Sequence, residues 1–582
     1  MELVKWCICL LVIGGAFSSL SAQESQLAWV YFTDKAEGEF RAEAYFDSAA
    51  LARKTRLGLP ESDSLDWPVS EQYLAAVADE VQEVRHRSRW LNAVSVEASP
   101  AALNQIADWK FVRAVVPFAW AGEVASNGTS REVPGGPTEG RVRSEAEDGA
   151  TANSERDRPQ TATLSGWGLA QRGEVRGQKA EVRELMSVKK PRFDTLLSLT
   201  RNLMELDQLA AAGLNGKGMR IAILDAGFLE ADTHPALAEV RARGGILRTW
   251  DFYQGDSGVY HHSHHGMEVM SCIAGKYQGK DLGGAPEAEF LLARIEHRRR
   301  EKAIEEDHWV AAAEWADRHG ADLINSSVTY TFKRYTYSDM DGNTAPVSRA
   351  ARIATQKGIL VVASMGNEGK KKWQYLGAPA DAPEVLSVGG SLPVWPQRNP
   401  FSSLGPNANR HPKPDVAAPG FVLTAKGKGT YDENAGTSFA APLITGLAAC
   451  YLQQQPETLP TELAQRIREM GHFYPYYDYA LGWGVPKVSR WLVDSLPEIA
   501  PTFRVGFKGD SVILALDTLH MQDSVRFPYG HLLYFHLDGG AEGLLAYETI
   551  RLPNDAKYYF FLRRRQQGIL RIWLDGFLWE RG

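Results

Sequence analysis

The sequence predicts an α/β protein with a parallel sheet flanked by helices, preceded by a small α+β domain and followed by an all-β domain. Three observations lead to this fold class. Apolar strand-like runs alternate with amphipathic helical segments between residues 213 and 493, helices and strands also alternate in the first 120 residues, and short alternating runs fill the last 80 or so. Apolar strands that alternate with helices are typical of a parallel sheet covered on both faces.

The 582-residue chain divides by composition into five predicted segments. They are a signal peptide at 1–22, an α+β domain at 23–120, a disordered linker at 121–192, the α/β domain at 193–495 and the β-domain at 496–582. The linker is rich in Gly, Ser, Thr, Glu, Arg and Pro and nearly free of large apolar residues. Such a composition cannot bury enough surface to fold.

The predicted signal peptide indicates export. Lys5 is followed by an apolar run over residues 6–17 and by small residues up to Ala22. The run is too short for a comfortable membrane span, although an uncleaved anchor remains the alternative. No other stretch approaches a transmembrane helix. We therefore expect a protein that is secreted or located in the cell envelope, in the periplasm or at the outer surface.

Charge and cysteine content exclude some functions. The net charge of -7 gives no basic footprint, so we expect no nucleic-acid partner. Cys7 and Cys9 belong to the signal peptide, and Cys272 and Cys450 lie in apolar helical patterns. These last two are predicted to be buried free thiols.

One stretch, Ala435 to Gly446, places a serine at the start of an apolar helix. Gly436 permits backbone angles that other residues resist, and Pro442 is tolerated only near a helix start. Ser438 should therefore lie at the first turn. Unpaired N–H groups and the positive end of the helix dipole favour a developing negative charge there. A plain N-cap serine is the alternative interpretation.

Three polar residues upstream occupy positions suited to catalysis. Asp225 ends an apolar strand and could orient a histidine, or could be a simple turn residue. His265 opens a helix, where an imidazole of near-neutral pKa serves as a general base. Asn367 follows another apolar strand, and its side-chain amide could donate to an oxyanion.

Metal binding by the histidine-rich stretch is a competing interpretation. The side chains concerned are His261, His262, His264, His265 and Glu268. They match no zinc spacing such as H-E-x-x-H, and the sequence offers no second group of ligands.

Taken together, these residues resemble the subtilisin-like serine peptidases, or subtilases, from Gly213 to Val493. The chain order Asp, His, Ser is the subtilisin order. Asp225-Ala226-Gly227 looks like the family's D-[ST]-G, and His265-Gly266-Met267 looks like H-G-T. The stretch from Gly436 to Pro442 matches G-T-S-x-A-x-P fully.

The resemblance implies a secreted serine endopeptidase that hydrolyses peptide bonds through an acyl-enzyme. Ser438 would be the nucleophile, His265 the general base, Asp225 its orienting carboxylate, and Asn367 part of the oxyanion hole. The chemistry would require no cofactor, but structural calcium is possible, with Asp339 and Asp341 as candidate ligands. A catalytically weak or inactive subtilase-fold binding module and a metal-dependent hydrolase are the alternatives.

Departures from the family pattern bear on rate and specificity. Ala226 and Met267 replace the usual hydroxyl residues beside the aspartate and the histidine. Ser327, Val328 and Thr329 stand where the family has S-x-G, a segment that lines the substrate cleft. These three are the predicted substrate-binding residues, and because Thr329 replaces a glycine, specificity does not carry over from subtilisin.

The N-terminal domain resembles the family's inhibitory propeptide in the order of its strands. It would block the cleft and be removed by cleavage in the linker, so the chain would be made as a zymogen. The expected partners are protein or peptide substrates and this propeptide as an intramolecular inhibitor. The layout looks most like secreted subtilases of the Bacteroidetes type.

Overall fold

The computed structural model describes residues 25–35, 40–118, 193–296, 304–331, 334–394, 396–493, 499–509, 511–523, 530–539, 544–562 and 568–581. The predicted signal peptide and most of the predicted linker lie outside these residues. Three parts are named below: the N-terminal region (25–118), the central region (193–493) and the C-terminal region (499–581).

The N-terminal region is a four-stranded antiparallel sheet with helices, in agreement with the predicted α+β arrangement. The strands run in the order β2-β3-β1-β4. The elements are β1 Gln26–Phe32, α1 Ala42–Tyr45, α2 Ser48–Arg56, α3 Glu71–Ala78, β2 Glu83–Ser88, β3 Ala93–Ala98, α4 Pro100–Ala107 and β4 Val112–Pro117. Helices α1 and α2 are separate, because the backbone N–H and side chain of Asp47 between them turn away to bind the central region.

The central region holds seven parallel strands in the order β13-β12-β11-β10-β5-β9-β6. Its strands are β5 Arg220–Asp225, β6 Ile246–Asp251, β7 Lys276–Tyr277, β8 Lys280–Asp281, β9 Glu289–Arg294, β10 Leu323–Ser326, β11 Leu360–Ser364, β12 Leu386–Ser391, β13 Val416–Pro419, β14 Phe421–Lys426 and β15 Thr430–Ala435. Strands β7 and β8 pair with each other, as do β14 and β15.

Helices cover both faces of the parallel sheet. They are α5 Phe193–Met204, α6 Asp207–Ala211, α7 Ala238–Ala242, α8 His265–Ala274, α9 Glu305–Arg318, α10 Pro346–Gln356, α11 Thr437–Gln454, α12 Pro460–Glu469 and α13 Val488–Trp491, with short 3₁₀ turns at Pro235–Leu237 and Tyr337–Asp339. Helices α5 and α6 are separated where Glu205 adopts a positive φ of 63°. The Glu205 carboxylate there accepts the N–H of Ser489, which holds this break in place.

The side chains of the central strand β5 point alternately into two separate hydrophobic cores. Ile221 and Ile223 join the core that contains α8 and α11, whereas Ala222 and Leu224 join the core beneath α9 and α10. Successive side chains of a strand point to opposite faces, so a strand apolar at every position must be buried on both. Asp225 follows at the carboxyl end, where ligands and catalytic groups gather in open parallel sheets.

The C-terminal region is rich in strands, as predicted, and forms two antiparallel sheets ordered β16-β17-β20 and β19-β18-β21-β22. The elements are β16 Phe503–Lys508, β17 Ser511–Leu516, α14 Thr518–Met521, β18 His531–Asp538, β19 Leu544–Leu552, β20 Tyr558–Leu562, β21 Ile569–Leu574 and β22 Phe577–Arg581. It has its own apolar core.

Two further features of the described residues concern membranes and thiols. None of the helices in the described ranges has both the length and the apolarity to cross a bilayer. Cys272 on α8 and Cys450 on α11 are free and buried, which confirms the prediction. Burial raises the pKa of both thiols, that of Cys450 to about 12, so neither is a reactive thiolate.

Candidate active site

The end of β5 and the start of α8 bring Asp225 and His265 together. His265 Nδ1 lies 2.7 Å from Asp225 Oδ1, and the carboxylate is fully buried. The approach depends on small residues: Gly266 donates its N–H to the carbonyl of Gly227 at 2.9 Å. A Cβ added at Gly266 would lie 2.6 Å from that oxygen, so a larger residue there would force the two segments apart.

The partners of Asp225 fix the tautomer of the histidine. Oδ1 accepts from His265 Nδ1 and from the backbone N–H of Ala226 at 2.7 Å, so the imidazole carries its proton on Nδ1. Nε2 is therefore the nitrogen that can take a proton. Burial lowers the pKa of His265, but the charge and hydrogen bond of Asp225 outweigh it, and the net pKa is raised.

The second carboxylate oxygen of Asp225 is buried and has no hydrogen-bond partner among the described residues. Ala226 offers this oxygen no hydroxyl, and Met267 packs into the apolar core instead. The replacement of the family's usual hydroxyl residue by Ala226 therefore leaves a buried oxygen of Asp225 without a donor. A buried acceptor without a donor raises the energy of the charged carboxylate.

Ser438 is the second residue of α11, at the helix start as predicted. The explanation for Gly436 was wrong: its φ of 160° and ψ of 154° are extended backbone that any residue adopts. The Ser438 hydroxyl is mostly buried and donates to the carbonyl of Ser327 at 3.1 Å. Within the described residues, this oxygen makes no hydrogen bond to His265.

A hydrogen-bonded chain that the sequence did not reveal fixes the serine turn. Pro442 has no N–H, so the carbonyl of Ser438, four residues earlier, lacks its usual helical partner. Ser327 Oγ donates to that carbonyl at 2.8 Å. Ser327 Oγ in turn accepts from Asn325 Nδ2 at 3.0 Å, and Thr445 Oγ1 donates to Asn325 Oδ1 at 2.8 Å. The motif proline thus creates the acceptor that this chain satisfies.

The three residues predicted to bind substrate have different surroundings. The Ser327 side chain is directed at the serine turn, and Val328 is buried in the core beneath α9 and α10. Thr329 is half-buried. Only Thr329 of the three therefore offers a partly exposed side chain.

Asn367 lies after β11 beside the serine turn. Its Oδ1 accepts the N–H of Thr437 at 3.0 Å and the hydroxyl of Thr437 at 3.1 Å. Because a backbone N–H can only donate, the amide oxygen must face Thr437, which leaves Nδ2 as the donor on the other side. A Cβ placed on Gly436 would lie 3.7 Å from Nδ2, so the donor is at the start of α11.

The histidine-rich stretch does not converge on one point. His264 Nε2 lies 3.2 Å from Glu230, His265 is bound to Asp225, and Glu268 pairs with Lys426 at 2.9 Å. His261 lies 3.8 Å from Asp251. Within the stretch that suggested zinc, His261 and His262 therefore lie together near Asp251, whereas His264, His265 and Glu268 each have a separate partner.

The two aspartates considered for calcium each serve their own loop. Asp339 accepts the N–H and hydroxyl of Thr336, which completes a capping box. Asp341 accepts the N–H groups of Asn343 and Thr344. Calcium binding by these two residues stays a prediction.

Comparison with known proteins fits this arrangement. Residues 216–484 match the subtilase family model, and residues 27–132 match the model of the peptidase S8 propeptide domain of Bacteroidota. The class is thereby defined as a serine-type hydrolase with a propeptide domain. Residues 216–484 are thus a subtilase-family domain, and residues 27–132 are similar to that family's propeptide domain in Bacteroidota.

Two curated relatives illustrate the similarity. Subtilisin BL from Lederbergia lenta is 28% identical over 258 residues, which cover 44% of this chain and 84% of that protein. Serine protease AprX from Bacillus subtilis (strain 168) is 25% identical over 286 residues, covering 44% of this chain and 61% of AprX. Among solved structures, MycP1 with its N-terminal propeptide removed is similar at 22% identity and a TM-score of 0.41, covering 51% of this chain and 98% of that one.

Proposed function

We propose that this chain is a secreted serine endopeptidase, made as a zymogen, whose triad is Asp225, His265 and Ser438. The observation that carries the proposal is the 2.7 Å contact between Asp225 and His265, which leaves Nε2 of the imidazole to serve as base. The serine that would use this base begins a long buried helix. A binding module would have no need for an oriented, charge-stabilised imidazole.

The reaction that we propose has two halves. Ser438 Oγ attacks the peptide carbonyl carbon while its proton passes to His265 Nε2, and Asp225 stabilises the resulting imidazolium. The proton then passes to the leaving amine as the C–N bond breaks, which leaves an acyl-enzyme. Water attacks the acyl-enzyme by the same route, and the ester bond to Ser438 breaks to regenerate the hydroxyl.

The carbonyl oxygen becomes negative in both halves. We propose that Asn367 Nδ2 and the backbone N–H of Ser438 hold that charge, since the amide is oriented through Thr437 before substrate arrives. A preorganised donor of this kind is worth about 10²–10³ in rate. Ser438 must also rotate its hydroxyl away from the Ser327 carbonyl, so that hydrogen bond marks a resting arrangement.

Autoinhibition by the N-terminal region is the second part of the proposal. The last described residue of this region, Phe118, lies beneath the guanidinium of Arg334, which follows the predicted substrate-binding segment. The family match over residues 27–132 supports the same role. Export rests on the predicted signal peptide at 1–22, and protein substrates follow from the family.

A fluorophosphonate probe tests for the activated serine. The full-length chain would carry an inserted site for a specific protease in residues 121–192 and would be treated with the probe before and after cleavage. We expect weak labelling before cleavage and strong labelling at Ser438 afterwards. The Ser438→Ala variant should not be labelled. Its kcat for peptide hydrolysis should fall by a factor on the order of 10⁶.

Two further variants identify the alternatives. Asp225→Asn should keep the fold but slow labelling sharply, because the imidazole then loses its tautomer control. Absence of labelling in both forms of the parent chain would favour the binding-module alternative. Activity that survives Ser438→Ala and disappears with a chelator would favour a metal-dependent hydrolase.

A further inference from the structure

Three side chains of the C-terminal region converge away from the active site. His520 comes from α14, His531 from β18, and Asp575 from the turn between β21 and β22. Their ligand-type atoms all lie within 4.8 Å of one another. Nε2 of His520 lies 2.8 Å from Asp575 Oδ2, and Nδ1 of His531 lies 2.5 Å from the same oxygen. Histidines from two different elements therefore share one carboxylate oxygen of a third.

The second nitrogen of His531 shows how the ring is held. Nε2 lies 3.0 Å from the carbonyl oxygen of Met521, and because a carbonyl only accepts, Nε2 carries a proton. Nδ1 then faces the carboxylate, where it needs either a second proton or a metal ion. A metal-ligating histidine usually donates one N–H to a backbone carbonyl, as His531 does to Met521, and presents its other nitrogen to the ion.

The surroundings favour a cation. His531 is completely buried and Asp575 nearly so. The charge of Asp523 also acts on His531. The two carboxylates thus give the pocket a negative potential. This potential stabilises a positive charge, whether it is a proton on His531 or a bound metal ion.

We propose that His520 Nε2, His531 Nδ1 and Asp575 Oδ2 bind a divalent transition-metal ion of the zinc class. Two imidazole nitrogens with one carboxylate suit Zn²⁺ better than Ca²⁺ or Mg²⁺, which prefer oxygen ligands. Binding releases the proton from His531 Nδ1 to solvent, so affinity falls as the pH falls. The ion would tie α14, β18 and the β21–β22 turn together, with its fourth position left to a water molecule.

The distances require only a small rearrangement. Ligand atoms around a tetrahedral zinc ion are about 3.3 Å apart, given bonds of about 2.0–2.1 Å. The two contacts to Asp575 must therefore lengthen by about 0.5–0.8 Å. His520 can make this adjustment because it is partly exposed on a helix of four residues.

A second group with similar residue types has a different character. Asp251, His261 and His262 also lie close together. The Arg294 guanidinium, however, donates to Asp251 Oδ2 at 2.6 Å, and the other oxygen of Asp251 accepts backbone N–H groups. A fixed positive charge already occupies that carboxylate, so this group serves as the matched control.

Zinc binding can be measured on the full-length Ser438→Ala chain, which cannot cleave itself through the proposed nucleophile. The protein is stripped with a chelator, dialysed against Zn²⁺, and analysed for metal content by mass spectrometry. Thermal unfolding is followed with and without Zn²⁺, and the Co²⁺ form is examined by visible absorption. We expect about one ion per chain, a higher Tm with Zn²⁺, and a Co²⁺ spectrum with tetrahedral ligand-field bands.

Two ligand variants and one control make the result specific. His520→Ala should lower the affinity at least about tenfold and abolish the Tm increase. Asp575→Asn should do the same with the fold retained, because asparagine tolerates the positive φ of 50° at this turn. His262→Ala should bind Zn²⁺ like the parent chain.

The opposite pattern overturns the proposal. If the parent chain binds no more Zn²⁺ than the two ligand variants, the three residues form only a charge-assisted hydrogen-bonded link. If His262→Ala removes the ion instead, the metal belongs to the other group. Neither outcome depends on the peptidase proposal, since every measurement uses a chain without its proposed nucleophile.

Discussion

The regions at the two ends of the chain are attached to the central region by different forces. The N-terminal region contributes Trp29 and Tyr31 to the core beneath α9 and α10, but charges accompany this apolar contact. Arg53 forms an ion pair with Asp317 in which both side chains are at most 2% exposed. Other pairs link the same two regions: Arg56 with Asp322, Lys357 with Asp63 and Asp66, and Asp47 with His319 and Arg248.

A buried carboxylate adds to this charged contact. Glu314 on α9 accepts from Ser88 Oγ at 2.6 Å and from the backbone N–H groups of Arg89 and Trp90 at 3.2 and 3.3 Å. All three donors belong to the N-terminal region. Burial raises the pKa of Glu314 to about 7 even though these hydrogen bonds lower it.

The C-terminal region is attached by aromatic rings. Phe473 of the central region lies 4.4 Å from the ring of Tyr534 and 4.9 Å from that of Trp573, and both rings join a core of the parallel sheet. Tyr534 also donates to the carbonyl of Pro396 at 2.8 Å. Across the ranges that the structure describes, no ion pair connects this region to the central one.

The difference indicates which attachment can be reversed. Buried ion pairs have their charges satisfied only in the assembled state, so their net contribution is small, but the loss of one partner costs much. Their strength also varies with pH and salt. The stabilisation from buried aromatic rings depends on neither pH nor the screening of charges by salt. The charged contact suits a region that leaves during maturation, and the aromatic contact suits one that stays.

The largest expected effect comes from breaking the buried ion pair. Arg53→Ala leaves Asp317 without its partner and removes a donor to the carbonyl of Ala321. Such a loss costs about 3–5 kcal/mol, so we expect the dissociation constant of the cleaved N-terminal region to rise about 10²–10⁴-fold. The measurement is size-exclusion chromatography of the Ser438→Ala chain after cleavage at a site inserted in residues 121–192.

An exposed pair in the same region provides the control. Arg87 pairs with Glu71 at 3.4 Å, and both side chains are more than half exposed. Arg87→Ala should change the free energy of attachment of the cleaved N-terminal region by less than about 1 kcal/mol. Equal retention of the Arg53 and Arg87 variants would mean that the buried ion pair does not hold the two regions together.

The second effect tests the aromatic attachment. Trp573→Ala removes a large ring from the cluster around Phe473 and should cost about 3–4 kcal/mol of unfolding free energy. Because the contact is apolar, this loss should be the same in low and high salt. Thermal unfolding of the Ser438→Ala chain at two salt concentrations measures it.

Trp579→Ala is a suitable comparison, since Trp579 is only partly buried and packs within the C-terminal region. It should cost clearly less than Trp573→Ala. If the loss of unfolding free energy caused by Trp573→Ala changes with salt concentration, charged groups contribute to the attachment of the C-terminal region. The proposed difference between the two attachments would then be wrong.

The parallel sheet and the acid–histidine contact were predicted from two different kinds of local signal in the sequence. Strands such as Ile221 to Leu224 are apolar at every position, which only burial on two faces explains. Asp225 and His265 were expected together because their motifs resemble those of the subtilases, and the structure adds that Gly227 and Gly266 allow β5 and α8 to meet. Both signals, the apolar run of a strand and the short motifs around Asp225 and His265, lie within a few consecutive residues and are visible in a single sequence.

Contacts between distant segments could not be predicted in this way. Nothing local to Thr445 indicates that it binds Asn325, and nothing local to Ser327 indicates that it binds the carbonyl of Ser438, because the two residues of each pair are more than a hundred positions apart. The same holds for Glu314, which reads as an ordinary acidic residue on a helix. Its role depends on three donors from a separate region, and hydrophobic periodicity carries no information about such pairing.

The smallest expected effect concerns two histidines that face each other across the charged contact. The rings of His86 on β2 and His308 on α9 are 5.0 Å apart. Burial, with some help from Arg85, lowers the pKa of His86 to about 4. Burial and the charge of His86 lower the pKa of His308 to about 3. Both rings are therefore neutral in the assembled state near neutral pH.

The sign of the pH effect follows from proton linkage. The released N-terminal region binds a proton at His86 below its ordinary pKa of 6.5, whereas the attached region does so only below about 4. Protonation of His86 thus weakens attachment as the pH falls from 6.5 to 4. Glu314 and Asp307, whose pKa values burial raises to about 7, act in the opposite direction by strengthening attachment as the pH falls below 7.

His86→Phe isolates one side of this balance, because phenylalanine keeps the aromatic contact and cannot be charged. The variant and the parent should retain the cleaved N-terminal region equally above pH 7. At pH 4 the variant should hold it about 2–3 kcal/mol more tightly, since a shift of one pKa unit corresponds to about 1.4 kcal/mol. Retention measured from pH 4 to pH 8 checks this, and the carboxylates contribute equally to both curves. Parallel curves would mean that His86 keeps its ordinary pKa when attached, and the charged contact would then owe its pH dependence to the carboxylates alone.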